Sequence, residues 1–96
     1  MADFEEFRKT ERYKLAGKAT RLQAAFYFFD PNKKGLTESR LKEVTKDDMT
    51  PDEFREGLGF CLRKHEVRCY PTGAESVYKI KPSVRKAIET YIEGFR

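Results

Sequence analysis

The spacing of apolar residues predicts a chain that is mostly helical. Residues 11–29 carry apolar side chains at intervals of three and four, the spacing of one face of a long first helix. These side chains are Leu15, Ala19, Leu22, Phe26 and Phe29. The Asp30-Pro31 step ends the helix, because a residue before proline is disfavoured in the helical region. Phe4 and Phe7 indicate that the preceding segment also docks on the protein.

Two shorter helices follow. Thr37 is a suitable N-cap for a helix over 38–46. The next helix, over 51–64, has the strongest local signal: Thr50 as N-cap, Pro51 at the first helical position and Glu53 to complete a capping box. Its predicted apolar face comprises Phe54, Leu58, Cys61 and Leu62.

The period then changes from helical to alternating. Residues 67–70 and 76–80 alternate at period two and are joined by turn residues, which predicts a hairpin over 66–80. A last helix is predicted over 82–95, beginning at Pro82. Its apolar stripe comprises Val84, Ile88, Tyr91, Ile92 and Phe95.

Composition and length fit one domain over 1–96. Hydrophobic residues make up 39% of the 96 residues and charged residues 38%, with no linker-like stretch between segments. No apolar run approaches the ~18 residues that span a membrane, and no signal-peptide pattern opens the chain. We therefore expect no membrane partner and a cytoplasmic location, with the nucleoid or nucleus also open. The two cysteines are expected to be reduced thiols.

The net charge of +4 suits an anionic partner without requiring one, because 16 acidic residues dilute the field. The basic residues cluster in three places along the chain. The first cluster lies within 8–21, the second is Arg63, Lys64 and Arg68, and the third is Lys79, Lys81, Arg85 and Lys86. Each cluster taken alone also fits a solvated surface.

The order of helix, short strand, helix, turn, helix, hairpin and helix resembles the winged helix-turn-helix superfamily. The run 36–41, the capped helix 51–64 and the hairpin 67–80 carry the resemblance, which covers about residues 15–81. The resemblance implies an α+β fold, mostly α, with a long N-terminal helix and an additional C-terminal helix. It also implies binding to double-stranded DNA, as in a small transcriptional regulator.

In DNA-binding members of this superfamily, the helix equivalent to 51–64 enters the major groove and the hairpin, or wing, lies on the backbone. The resemblance makes Arg55 a candidate base reader. The other basic candidates would contact the backbone or groove: Arg63, Lys64, Arg68, Lys79, Lys81, Arg12, Lys18 and Arg21. Glu56 has two interpretations, because it suits cytosine N4 but also repels phosphates.

Two alternatives concern other partners. The acidic residues Asp52, Glu53 and Glu56 on the third helix are also compatible with a winged helix that binds protein and has no DNA affinity. The apolar stripe of the last helix suits either packing on the first helix or a homodimer. The candidate dimer or partner interface comprises Val84, Ile88, Tyr91, Ile92, Phe95, Tyr27 and Phe28.

The sequence gives little support for a metal site or a catalytic site. The loop 30–35 resembles the start of a calcium-binding EF-hand loop, but its fifth position is Lys34 and its twelfth is Leu41. Cys61, His65 and Cys69 lack a fourth ligand at the usual zinc spacing. The sequence contains no phosphate-binding loop or nucleophile motif. We therefore expect no cofactor, no metal and no enzymatic activity.

Overall fold

Six helices and three strands make up residues 4–94, the part of the chain that the computed structural model describes. In order they are α1 (Phe4–Phe7), α2 (Glu11–Leu15), α3 (Lys18–Phe29), β1 (Leu36–Thr37), α4 (Glu38–Thr45), α5 (Pro51–Arg63), β2 (Val67–Pro71), β3 (Ser76–Ile80) and α6 (Pro82–Glu93). The fold is α+β and mostly helical, as the sequence predicts.

The three strands form one antiparallel sheet in the order β1-β3-β2. Leu36 pairs with Tyr78 and Val67 with Ile80, and these four side chains are buried. In β3 the buried Tyr78 and Ile80 flank the exposed Lys79, whereas in β2 the four residues after Val67 are all exposed. The hairpin tip is fastened to α4, where the Ser39 N–H donates to Glu75 Oε1 at 2.7 Å.

The start of α5 has the geometry that its sequence predicts. The Glu53 N–H donates to Thr50 Oγ1 at 3.2 Å, and the Thr50 N–H donates to Glu53 Oε1 at 2.9 Å, so both halves of the capping box form. Gly57 lies where α5 crosses α3. A Cβ atom at Gly57 would come within 3.1 Å of the Lys18 carbonyl carbon, a tight contact that glycine avoids.

The prediction of one continuous helix over 11–29 is wrong. Helix α2 ends at Leu15 and α3 begins at Lys18, with extended backbone at Ala16 and Gly17. The guanidinium of Arg21 donates to the carbonyls of Tyr13 and Lys14, at 3.3 and 3.0 Å. These bonds supply donors to carbonyls at the end of α2, where the helix no longer provides N–H partners. Leu15, predicted to face the core, is 80% exposed because the break turns α2 away from the line of α3.

The N-terminal segment docks, as Phe4 and Phe7 indicate. Both rings are buried and pack against the Phe28 ring, with centroid distances of 5.5 and 5.7 Å. Arg8 adds an ion pair to Asp48, with Nη2 and Oδ1 2.8 Å apart. The chain itself thus packs Tyr27 and Phe28 against its own core, where both stay partly exposed, and their role in a partner interface stays a prediction.

Helix α6 packs on α3 and adds to the same core. Ile88 and Ile92 are 4% and 2% exposed, so they are not available to a second subunit. Val84 and Tyr91 are partly buried against the core. Ile88 and Ile92 thus pack within the chain, while a dimer interface that includes Val84 and Tyr91 stays a prediction. Phe95, the fifth residue of that predicted stripe, lies outside the described residues.

Candidate nucleic-acid interface

A cleft of about 650 Å³ lies between the exposed face of the hairpin, the loop after α3 and the first turns of α6. We call it the basic cleft. Its lining contains cationic side chains from four segments: Lys33, Arg68, Lys79, Lys81, Arg85 and Lys86. Asp30 and Glu89 supply its carboxylates.

The sheet register brings the hairpin cations together. Arg68 on β2 lies directly opposite Lys79 on β3, so both side chains project from the same exposed face. Lys81 follows as the N-cap residue of α6, and its N–H donates to the Glu66 carbonyl at 2.9 Å. Three of the predicted DNA-contacting residues therefore line one cleft.

Three further cationic residues of the cleft were not among the predicted contact residues, and two of them, Lys33 and Lys86, are exposed. Lys86 lies on the first turns of α6, and Lys33 lies in the loop after α3 with a positive φ of 59°. Lys86 belongs to a basic cluster that is visible in the sequence. Lys33 has no such signal, because only the fold brings residues 33 and 79 to the same cleft.

A buried ion pair forms part of the cleft wall. The Nη2 atom of Arg85 donates to the carbonyls of Phe26 and Asp30, at 3.2 and 2.5 Å, and lies 3.6 Å from Asp30 Oδ2. The two Asp30 carboxylate oxygens accept the N–H groups of Lys34 and Gly35, each at 2.9 Å. Asp30 therefore fixes the loop rather than presenting free oxygens to a cation.

The electrostatic balance of the cleft is positive. Asp30 and Arg85 neutralise each other in the interior, where both are nearly inaccessible. Five exposed cations then remain against the half-buried carboxylate of Glu89. The Tyr70 ring is 43% exposed and lies 5.3 Å from Lys79 Nζ, which adds an aromatic surface beside the charges. Such a lining suits an extended anion.

The first half of α5 is different, because its charges are paired within the chain. Arg55 forms an ion pair with Asp52 at 3.1 Å, and Glu56 pairs with Lys18 at 2.5 Å. The hydrogen bond to Glu56 raises the pKa of Lys18. The predicted contacts Arg55, Glu56 and Lys18 therefore carry compensated charges.

Two other predicted contacts lie at the C-terminal end of α5. Arg63 and Lys64 are exposed, and Lys64 Nζ lies 5.9 Å from the Phe60 ring centroid. Neither residue has an ion-pair partner within residues 4–94. The free positive charge of α5 is therefore at the end that leads into the hairpin.

Two more predicted contacts have structural partners instead. Arg21 donates to three backbone carbonyls, those of Tyr13 and Lys14 and that of Asp48 at 3.1 Å. Arg12 donates to the Tyr91 carbonyl at 3.4 Å. Arg12 thus contacts the C-terminal half of α6, and it is not among the residues that line the cleft.

The cysteines do not form a metal site. Cys61 is buried, which raises its pKa to about 11, whereas Cys69 is exposed. Within residues 4–94, no group of three or more His, Cys, Asp or Glu side chains is placed to hold a metal ion. None of the helices in the same range is both long and apolar enough to cross a membrane.

The fold and the cleft together define an α+β protein, mostly helical, with a basic surface on its small sheet. Comparison with protein-family models, with curated protein sequences and with solved structures finds no match to this chain. The function is therefore inferred from the arrangement of these residues.

Proposed function

We propose that this chain is a winged helix-turn-helix protein that binds double-stranded DNA. The basic cleft would hold the phosphate backbone, and α5 would lie in the major groove. The observation that carries the proposal is the convergence of Arg68, Lys79 and Lys81 with Lys33 and Lys86.

The element order supports the winged-helix assignment. Helix α3, strand β1, helices α4 and α5, and the β2–β3 hairpin follow one another as in that superfamily. Helix α3 packs against both α4 and α5, so it braces the helix pair from one side. One face of α5 is left exposed, as a groove-binding helix requires.

The charges suit backbone binding more than base reading. Each cation that neutralises a phosphate releases a counterion, so five exposed cations give a strongly salt-dependent affinity. The two pairs on α5 reduce the repulsion expected from Asp52 and Glu56. Exposed ion pairs contribute only about 0–1 kcal/mol, so Arg55 is able to exchange Asp52 for a guanine edge.

The test is fluorescence anisotropy of a labelled mixed-sequence duplex, titrated with protein between about 50 and 200 mM salt. The wild-type chain is expected to bind with an affinity that falls steeply as salt rises. The double variant Arg68→Ala/Lys79→Ala should bind more weakly and lower the slope of log affinity against log salt by about two.

The matched control is Lys14→Ala, which removes an exposed cation from α2, away from the cleft. It should leave both affinity and slope within error. Absence of duplex binding by the wild-type chain at the lowest salt would refute the proposal. Equal losses in the double variant and the control would refute the assignment to the cleft.

A further inference from the structure

A second concave surface lies between α4 and α5, and we call it the α4–α5 groove. It has a volume of about 620 Å³ and extends along the turn that joins the two helices. Its apolar lining comes mainly from α5 and that turn: Met49, Pro51, Phe54, Leu58 and Leu62. The two helices both pack on α3.

The rim of the groove is positively charged. Lys42, Lys46 and Arg55 line it together with the carboxylate of Glu38, and Arg55 is paired with Asp52. Glu38 is already paired with Lys42, with Oε2 and Nζ 3.3 Å apart. Lys46 is exposed and forms no ion pair within residues 4–94. An occupant with acidic residues beside its apolar side chains would complement this rim.

The length of the groove fits a helical occupant. Pro51 and Leu62 lie eleven residues apart on α5, which is roughly 17 Å or three helical turns. An amphipathic helix spanning three turns presents apolar side chains at i, i+3 or i+4, and i+7 along one face. The groove therefore has the length and the apolar floor that such a face requires.

A second copy of this chain does not supply that face within residues 4–94. The large hydrophobic residues with substantial exposure there are Leu15, Phe60 and Tyr70. They lie on α2, α5 and β2, so none of these elements presents two of them to a groove. The occupant is therefore better sought in another protein.

We propose that the α4–α5 groove binds an amphipathic helix of a partner protein, with apolar anchors at i, i+3 or i+4, and i+7 and with acidic flanking residues. This activity uses a different surface from the basic cleft, and Arg55, the proposed base reader, lies on the rim of the groove. The groove and the basic cleft share no lining residue.

The probes are two labelled helical peptides, each with leucines as anchors and glutamates at the flanking positions. One peptide has its leucines at i, i+3 and i+7, and the other has them at i, i+4 and i+7. A third peptide carries lysines in place of the glutamates. Anisotropy should show saturable binding of at least one acidic peptide, and the lysine peptide should not bind. Amide shifts in a titration followed by NMR should concentrate at Met49, Leu58 and Leu62.

Charge reversal at the rim gives the decisive variant. Lys46→Glu should weaken binding of the acidic peptide by about twofold to fivefold, the scale of a lost exposed ion pair. The exposed Lys46 side chain makes no ion pair, so this variant is expected to fold. Lys9→Glu, an exposed charge reversal beside α1, serves as the control and should bind like the wild-type chain.

Three results would overturn the proposal: failure of both acidic peptides to bind, equal binding of the lysine peptide, or amide shifts outside the groove. The proposal would also be overturned if the wild-type chain self-associates and Leu62→Asp abolishes that self-association. The occupant of the groove would then be a second copy of the chain. Arg68→Ala/Lys79→Ala should bind the acidic peptide normally. Peptide binding is therefore expected not to depend on the cations of the basic cleft.

Discussion

Arg85 is the residue whose replacement tests the packing behind the basic cleft most directly. Its guanidinium is nearly inaccessible and bridges α6 to the C-terminal end of α3. Arg85→Met keeps much of the aliphatic volume. It removes the donor from two buried carbonyls and the cation from Asp30, which remains charged and buried.

The expected loss follows from these contacts. Removing one partner of a buried ion pair costs about 3–5 kcal/mol, and each buried acceptor left without a donor costs about 1–3 kcal/mol within that total. Asp30 keeps its bonds from the Lys34 and Gly35 N–H groups, which places the expected value near the lower end, at about 3 kcal/mol.

The assay is urea unfolding followed by far-UV circular dichroism. A loss of about 3 kcal/mol lowers the midpoint by about 1 M or more and the melting temperature by roughly 12–24 °C. The control is Lys86→Met, an exposed change on the next residue of α6, expected within about 0.5 kcal/mol of wild type. A loss below about 1 kcal/mol for Arg85→Met would refute the role assigned to this ion pair.

Three further predictions address other parts of the fold. Leu15→Glu should change the free energy of unfolding by no more than about 0.5 kcal/mol, because Leu15 is exposed. A large loss of stability in urea unfolding would instead favour the continuous helix over 11–29, in which Leu15 faces the core. A thiol reagent near pH 8 should modify Cys69 rapidly and Cys61 only on unfolding, because burial raises the Cys61 pKa to about 11; two fast thiols in the native protein would contradict this. The bonds from Thr50 lower the pKa of Glu53, so its charge stabilises the fold above the unfolded pKa of about 4.3, and this contribution is lost as pH falls through the lower folded value. Thermal melts should therefore show a weaker pH dependence for Glu53→Gln below about pH 4.5, and identical profiles would exclude this contribution.

Local signals in the sequence predict several elements closely. The capping box at Thr50 places the start of α5 at the correct residue, and the alternation around the hairpin places β2 and β3 within one residue. These signals act over a few neighbouring residues, so the final fold does not need to be known to interpret them.

The sequence-based predictions fail where contacts between residues distant in the sequence determine the structure. The helical spacing through Leu15 continues across a break that Arg21 stabilises from the next helix. Arg85 is a charged residue in an amphipathic helix, and nothing local indicates that α3 offers it two carbonyls. The cleft combines a loop, a hairpin and a helix, so Lys33 has no local pattern that links it to Lys79.

The contact between Glu75 and Ser39 has a consequence for communication across the molecule. The Glu75 carboxylate at the hairpin tip accepts a hydrogen bond from the Ser39 N–H in the first turn of α4. This bond links the hairpin to α4. Helix α4 is also one wall of the α4–α5 groove. A ligand that displaces the tip would remove this bond, and faster solvent exchange of the Ser39 amide would report that displacement.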